Sequence, residues 1–138
     1  MTGTVYEIAL PLPAVTGGVR TLLRLEGLTA GCAALALYAD AGFSWAMFAL
    51  LILAPDLAML GYVAGPRAGA LTYNAAHSCV LALATALAGH LSGSAAVTAV
   101  GLIWLAHIGF DRALGYGLKY PSGFHDTHLG RIGRIGRH

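Results

Sequence analysis

The sequence predicts an all-α integral membrane protein, an up-down bundle of four transmembrane helices with both termini cytoplasmic. Three observations predict it. First, hydrophobic residues make up 57% of the 138 residues and charged residues 10%, against about 25% charged in an ordinary soluble domain. The mean hydropathy is +0.71. A small water-soluble domain has more surface to cover with polar groups than these charges allow, so a soluble bundle inside a large oligomer is the weaker reading. Second, four segments reach the roughly 20 apolar residues needed to cross a bilayer. Third, all eight Lys and Arg residues fall where they can share one side of that bilayer.

Residues 1–18 are expected to form an irregular or interfacial arm. Pro11, Pro13, Gly17 and Gly18 break it up, and Glu7 comes too early for a cleaved signal. The spans run from about Leu22 to Ala41, Trp45 to Ala64, Gly69 to Ala88 and Ala95 to Leu114. Gly65-Pro66 closes the second. The connections between spans are short, which makes sequence neighbours antiparallel. The four-helix domain occupies residues 19–118, and residues 119–138 form a basic, Gly-rich tail.

Arg20 and Arg24 open span 1, Arg67 lies between spans 2 and 3, and Arg112, Lys119, Arg131, Arg134 and Arg137 lie at or after the end of span 4. The other two connections carry none. The positive-inside rule then puts both termini in the cytoplasm, the expected orientation of a multi-pass inner (plasma) membrane protein. The GRIGRIGRH tail is too Gly-rich for a helix and suits anionic lipid headgroups. Three arginines there are too few for a nucleic-acid surface. Gly27 with Gly31, and Gly61 with Gly65, have the four-residue spacing of close helix contacts. This is a packing signal, with a homodimer as an open possibility. Cys32 and Cys79 read as small packing residues and not as a bridge or a metal pair.

Placed by depth at about 1.5 Å per residue, the polar residues of all four spans share the cytoplasmic half. They are Arg24 and Glu26 in span 1, Asp56 in span 2, Tyr73, Asn74 and His77 in span 3, and His107 and Asp111 in span 4. Ionisable groups inside a membrane cost several kcal/mol each and usually face a bundle interior or a wet cavity. One shared layer therefore predicts a polar pocket beneath the cytoplasmic surface. His107 and Asp111 are four apart on one helix face, as are Tyr73 and His77. Pro55 should kink span 2 and free a carbonyl for this layer.

The motifs LLRLEGL, APDLAMLGY, GPRAGALTYNAAH and WLAHIGFDRALGYGLKYPSGF followed by THLGRIG resemble a bacterial family of small four-span membrane proteins, domain-of-unknown-function family 4260. The resemblance covers roughly residues 20 to 133. It implies membrane location and four spans, and it brings no activity.

Asp56, His77, His107 and Asp111 are the candidate catalytic residues. Arg24, Glu26, Tyr62, Tyr73, Asn74, Trp104, Arg112 and Tyr116 are candidates for substrate contact. Each has a plainer reading. Asp56 suits a general acid or a carboxyl bonded to a neighbouring helix; Asp111 suits a group orienting the His107 base or one that fixes its tautomer. Arg112 can instead pair with Asp111 or Glu26, and Arg24 with Glu26 can be a solvated entrance pair. Tyr116, Lys119, Tyr120 and GFHDTHLG are expected to fold back over the pocket. His125, Asp126 and His128 offer a second metal reading beside that of an ordinary polar tail.

The leading functional expectation is an enzyme doing cofactor-free acid–base chemistry on a lipidic or isoprenoid-like substrate by isomerisation, cyclisation or epoxide opening. No Walker loop, zincin pair, nucleophile elbow or dinucleotide fingerprint is present. The alternatives are a metal or haem protein holding its group with Asp56, His77, His107 and Asp111, and a small proton or solute transporter subunit. Membrane lipids and a hydrophobic small molecule are the expected partners, with no nucleic acid.

Overall fold

The structure is a computed structural model that describes residues 13–133. Most of the expected N-terminal arm, and Arg134 and Arg137 of the tail, lie outside the described residues. The elements are α1 (Gly17–Asp40), α2 (Trp45–Leu51), a 3₁₀ helix (Ala54–Ala64), α3 (Pro66–His77), α4 (Cys79–Ser92), α5 (Ala95–Leu114), and two short strands, β1 (Asp126–Thr127) and β2 (Gly130–Arg131). Together the helices make four stretches long and apolar enough to cross a membrane. Their lipid-facing character is plain: Val63 is 90% and Leu50 80% exposed, a state that water would penalise and lipid tails would not.

Local chemistry sets most boundaries. Ser44 and Ser94 cap α2 and α5 by accepting from the Met47 and Val97 N–H groups at 3.3 and 3.4 Å, satisfying donors that a helix start leaves unpaired. Gly93 and Gly115 close α4 and α5 at φ +70° and +96°, a left-handed conformation that glycine adopts without a Cβ clash.

Two spans are broken where the sequence reads as continuous. Pro55 ends the α-helical part of the second, as its missing N–H and ring bulk require. The rest of that span is not a kinked α-helix but eleven residues of 3₁₀ helix, long for this tighter form. The third span is interrupted at Ser78, whose φ −85° and ψ 144° are extended. No proline marks this second break.

Helix α5 is the hub. It packs against α1 on one side and α4 on the other, while α3 lies along the 3₁₀ helix. Ala34, Tyr38, Ala99, Leu102, Ile103 and Ala106 form the core. Gly27 and Gly31 do pack closely, against Arg112 and Gly109 of α5, so the two backbones nearly touch. Gly61 packs against Thr72, but Gly65 faces open space at φ +111° and serves the turn into α3.

The start of α1 and the end of α5 lie together. Arg24 Nε donates to the Ala113 carbonyl at 2.8 Å, and the Val15 N–H to the His128 carbonyl at 2.9 Å. The chain after α5 folds back onto this end. Thr127 and Leu129 of its small hairpin are fully buried, Lys119 bridges to Thr127, and Tyr120 Oη donates to the Pro13 carbonyl. The segment is a packed cap as far as Gly133, with more structure than a loose basic tail.

Candidate metal centre at the break in the third span

The break at Ser78 builds the site. A continuous helix would pair the Ala76 and His77 carbonyls with N–H groups one turn on. Here side chains take them: Trp104 Nε1 donates to the Ala76 carbonyl at 2.6 Å and Arg112 Nη2 to the His77 carbonyl at 3.2 Å. The third span thus offers carbonyls to side chains beside the site, and in the second span the Ala58 carbonyl accepts from Thr72 Oγ1 at 2.8 Å. His77, the last residue of α3, is held at the interruption, with its ring stacked on Tyr73 at 3.7 Å.

His77 Nδ1 donates to the Tyr73 carbonyl at 3.0 Å. With its proton on Nδ1, the neutral ring presents a lone pair at Nε2, the arrangement that orients metal-binding histidines. That atom lies 3.1 Å from His107 Nε2 and 3.3 Å from Asp56 Oδ1. Asp111 Oδ2 is 3.5 Å from both histidine Nε2 atoms, and Asp56 Oδ1 is 3.4 Å from His107 Nε2. One ligand atom from each of the four residues lies within 4.8 Å of every other. Spans 2, 3 and 4 each contribute, so these four of the side chains singled out by depth converge.

This His/Asp group has the makeup to hold a metal ion. Both histidines are buried, while the side chains of Asp56 and Asp111 are 33% and 20% exposed. That exposure faces a cavity of about 360 Å³ whose walls include Asp56, Asp111, Tyr73, Tyr116, Lys119 and Phe124. Haem suits the site poorly. Two axial histidines must lie on opposite faces of the macrocycle, and here two carboxylates fill the space beside Nε2 atoms 3.1 Å apart.

The model of the family described as "Domain of unknown function (DUF4260)" matches residues 20–132. The chain belongs to this family. No curated protein and no solved structure matches it.

The other candidate residues of this DUF4260 chain divide. Tyr73 and Tyr116 line the cavity. Asn74 does not face it; its Oδ1 accepts from the Lys119 N–H at 2.7 Å and its Nδ2 donates to the Lys119 carbonyl at 2.8 Å, clamping the cap to α3. Trp104 lines a separate apolar cavity of about 300 Å³ with Leu51, Pro55 and Val100. Tyr62 packs on Gly69, meets Phe124 edge-on at 5.4 Å, and has a buried hydroxyl without a hydrogen-bond partner among the described residues.

Arg24 and Glu26 share the depth of the site but not its side of the bundle. α1 packs on the Gly109 face of α5, about 200° around the helix from His107 at roughly 100° per residue. Glu26 is exposed beside a different cavity. Arg112 pairs with neither Asp111 nor Glu26: its Nη2 donates to the His77 carbonyl, and its Nη1 lies against the His128 ring, 3.1 Å from Nε2. His125, Asp126 and His128 form no metal-binding group among the described residues.

Phe124 lines the cavity as part of the expected fold-back, while Met59 and Ile132 are not among the expected residues. Lys119, expected only in the fold-back, is buried in its wall at 3% exposure. The available signal was that it is the only lysine in the chain, just after the last span and between two tyrosines. Its Nζ donates to the Phe124 carbonyl at 2.9 Å and lies over the Phe124 and Tyr73 rings at 3.8 and 4.6 Å. Burial pushes its pKa below the ordinary lysine value, and Asp111 pulls the other way.

Proposed function

We propose that this protein is an intramembrane metalloprotein whose centre binds one divalent transition-metal ion through His77, His107, Asp56 and Asp111, with zinc or ferrous iron as the fitting ions. One observation carries the reading: four lone-pair atoms from three spans meet, each histidine Nε2 lying 3.1 to 3.5 Å from the other three ligand atoms and all four within 4.8 Å of one another. Metal–ligand bonds of about 2.0–2.2 Å in a tetrahedron imply ligand–ligand edges of about 3.3–3.6 Å. Two imidazoles and two carboxylates suit zinc and iron better than magnesium or calcium. Charge supports it too. Two carboxylates and a divalent ion sum to zero, which lowers the cost of keeping the carboxylates in a membrane interior.

The bordering cavity favours a working centre over a purely structural one. A bound ion supplies Lewis acidity, polarising an oxygen or lowering the pKa of a water. The chain's own groups orient the site. The Tyr73 carbonyl fixes the His77 tautomer, Arg112 holds the backbone at the break, and the Tyr73 ring shields the imidazole. Metal-free acid–base chemistry on a hydrophobic substrate is the second reading, supported by the contact of Asp56 and Asp111 with the same cavity. In that case activity survives chelation.

Metal analysis of the purified full chain, expressed with zinc and iron supplied, tests the proposal. About one equivalent per chain is expected, falling below a tenth in His77→Ala and His107→Ala. His90→Ala, at the far end of α4, keeps it. A metal-free wild type under these conditions, or full metal in His77→Ala, defeats it.

A further inference from the structure

The cavity beside the four ligands holds a cation with unfinished bonding. Lys119 is the one lysine of the chain, and its ammonium has three donors. Among the described residues it has one hydrogen-bond acceptor, the Phe124 carbonyl, and no carboxylate oxygen lies within 4.0 Å of it. The two aromatic faces beneath it favour the charge but accept no conventional hydrogen bond. A buried ammonium is costly unless it is paired. Asn74 fixes the Lys119 backbone from both sides, so the side chain is placed and does not drift.

Asp56 and Asp111 line the same cavity as the lysine; the other walls are apolar or aromatic and include Met59, Phe124 and Ile132. Charge then selects the ligand. The two carboxylates and a divalent ion cancel, and Lys119 leaves the cavity at +1. Without the ion the same cavity stands at −1 and repels anions.

We propose that this cavity binds an amphiphile with a singly charged oxyanion head, its head between the metal centre and the Lys119 ammonium and its apolar part against Met59, Phe124 and Ile132. The inference rests on the metal reading and adds the ligand class. It makes anion binding conditional on metal. Lys119 is a binding residue that takes no part in holding the ion.

The full chain, loaded with Co²⁺ in uncharged detergent, is titrated with decanoate, decyl sulfate and decanol while the visible cobalt bands are followed. At least one of the two anions should shift the bands saturably, and the tighter one assigns the head; decanol should do neither. The metal-free protein should bind neither anion. Lys119→Met should keep stoichiometric cobalt and weaken the anion about tenfold or more, the scale of a lost charged hydrogen bond. Lys119→Arg should retain most of the affinity, which separates loss of charge from damage to the cap. If cobalt binds but neither anion shifts the bands, or decanol binds as well as they do, the ligand assignment is overturned and the metal centre stands. Unchanged anion affinity in a folded Lys119→Met overturns it as well. If cobalt itself fails to bind, both fall.

Discussion

Gly109 shows how one residue sets the site from the opposite face of its helix. Any Cβ there meets the backbone of Gly27 and Gly31 in α1, and backbone, unlike a side-chain tip, has no rotamer by which to yield. The contact lets α1 close on α5, leaving the face of His107 and Asp111 free for α3. Gly109→Val is therefore expected to cost about 1–3 kcal/mol, the range for forced overpacking, read as a lower unfolding midpoint in detergent. Gly18→Val, where a Cβ meets nothing within 4 Å, serves as the comparison and should leave the midpoint nearly unchanged. Equal midpoints for the two variants would remove the close approach as a source of stability. The residue-level chemistry of the site was legible in the sequence because depth is countable: about 1.5 Å per residue places Asp56, His77, His107 and Asp111 in one layer. Which way each helix turns that layer is not countable. Arg24 and Glu26 share the depth and point elsewhere, and Asn74, three residues from His77, is spent on the backbone of the cap.

At the scale of elements, the two interrupted spans and the cap after α5 act together. Pro55 announces the first break, and the Gly65-Pro66 turn is equally plain, but nothing in YNAAHSCV announces the second. Its cause is tertiary. Trp104 and Arg112 supply donors to the Ala76 and His77 carbonyls, so the chain can leave the helix at Ser78 without orphaning them. Arg112 also reaches His128 of the cap, and His128 Nδ1 accepts from the Leu118 N–H at 2.9 Å. That contact needs the ring neutral at Nδ1. Burial and the Arg112 charge accordingly lower the His128 pKa from 6.5. A base whose folded pKa is lowered binds fewer protons folded than unfolded, so its contribution is complete above the unfolded value and is lost as pH falls below about 6.5. The cap should loosen on acidification, seen as a lower amide protection factor at Leu118 (intrinsic over observed exchange rate at the same pH) at about pH 5.5 than at about pH 7.5, on either side of that value. His128→Asn should flatten the part of this dependence that belongs to the cap. A cap equally protected at both pH values, or an unaltered profile in the variant, would take His128 out of the account.

At the scale of the whole molecule, the cap, the site and most of the positive charge share one end. Arg20 and Arg24 sit beside Gly115, Arg112 is half-buried against the cap, Lys119 is buried within it, and Arg67 lies in the first turn of α3. The other end carries Asp40 but no lysine or arginine, and it gathers aromatic groups: Tyr38 Oη donates to the Ser44 carbonyl at 2.6 Å, and the Phe43, Trp45 and Phe48 rings surround it with centroids 5.2–5.5 Å away. Aromatic rings at one interface and arginines at the other are the arrangement of a helix bundle oriented by charge. The four-span outline was thus readable from composition, while the discontinuities that shape the cavity depend on contacts between distant segments. Orientation has a consequence for the proposed ligand, because it decides which compartment supplies the ion and the anionic head. With Cys32 and Cys79 replaced by Ala, a single cysteine at Ser94, between α4 and α5, should react with a membrane-impermeant maleimide in intact cells. One at Ser122, in the cap, should react only after the membrane is opened. The reverse pattern would place the metal centre on the outer side and require its ion and ligand to arrive from there.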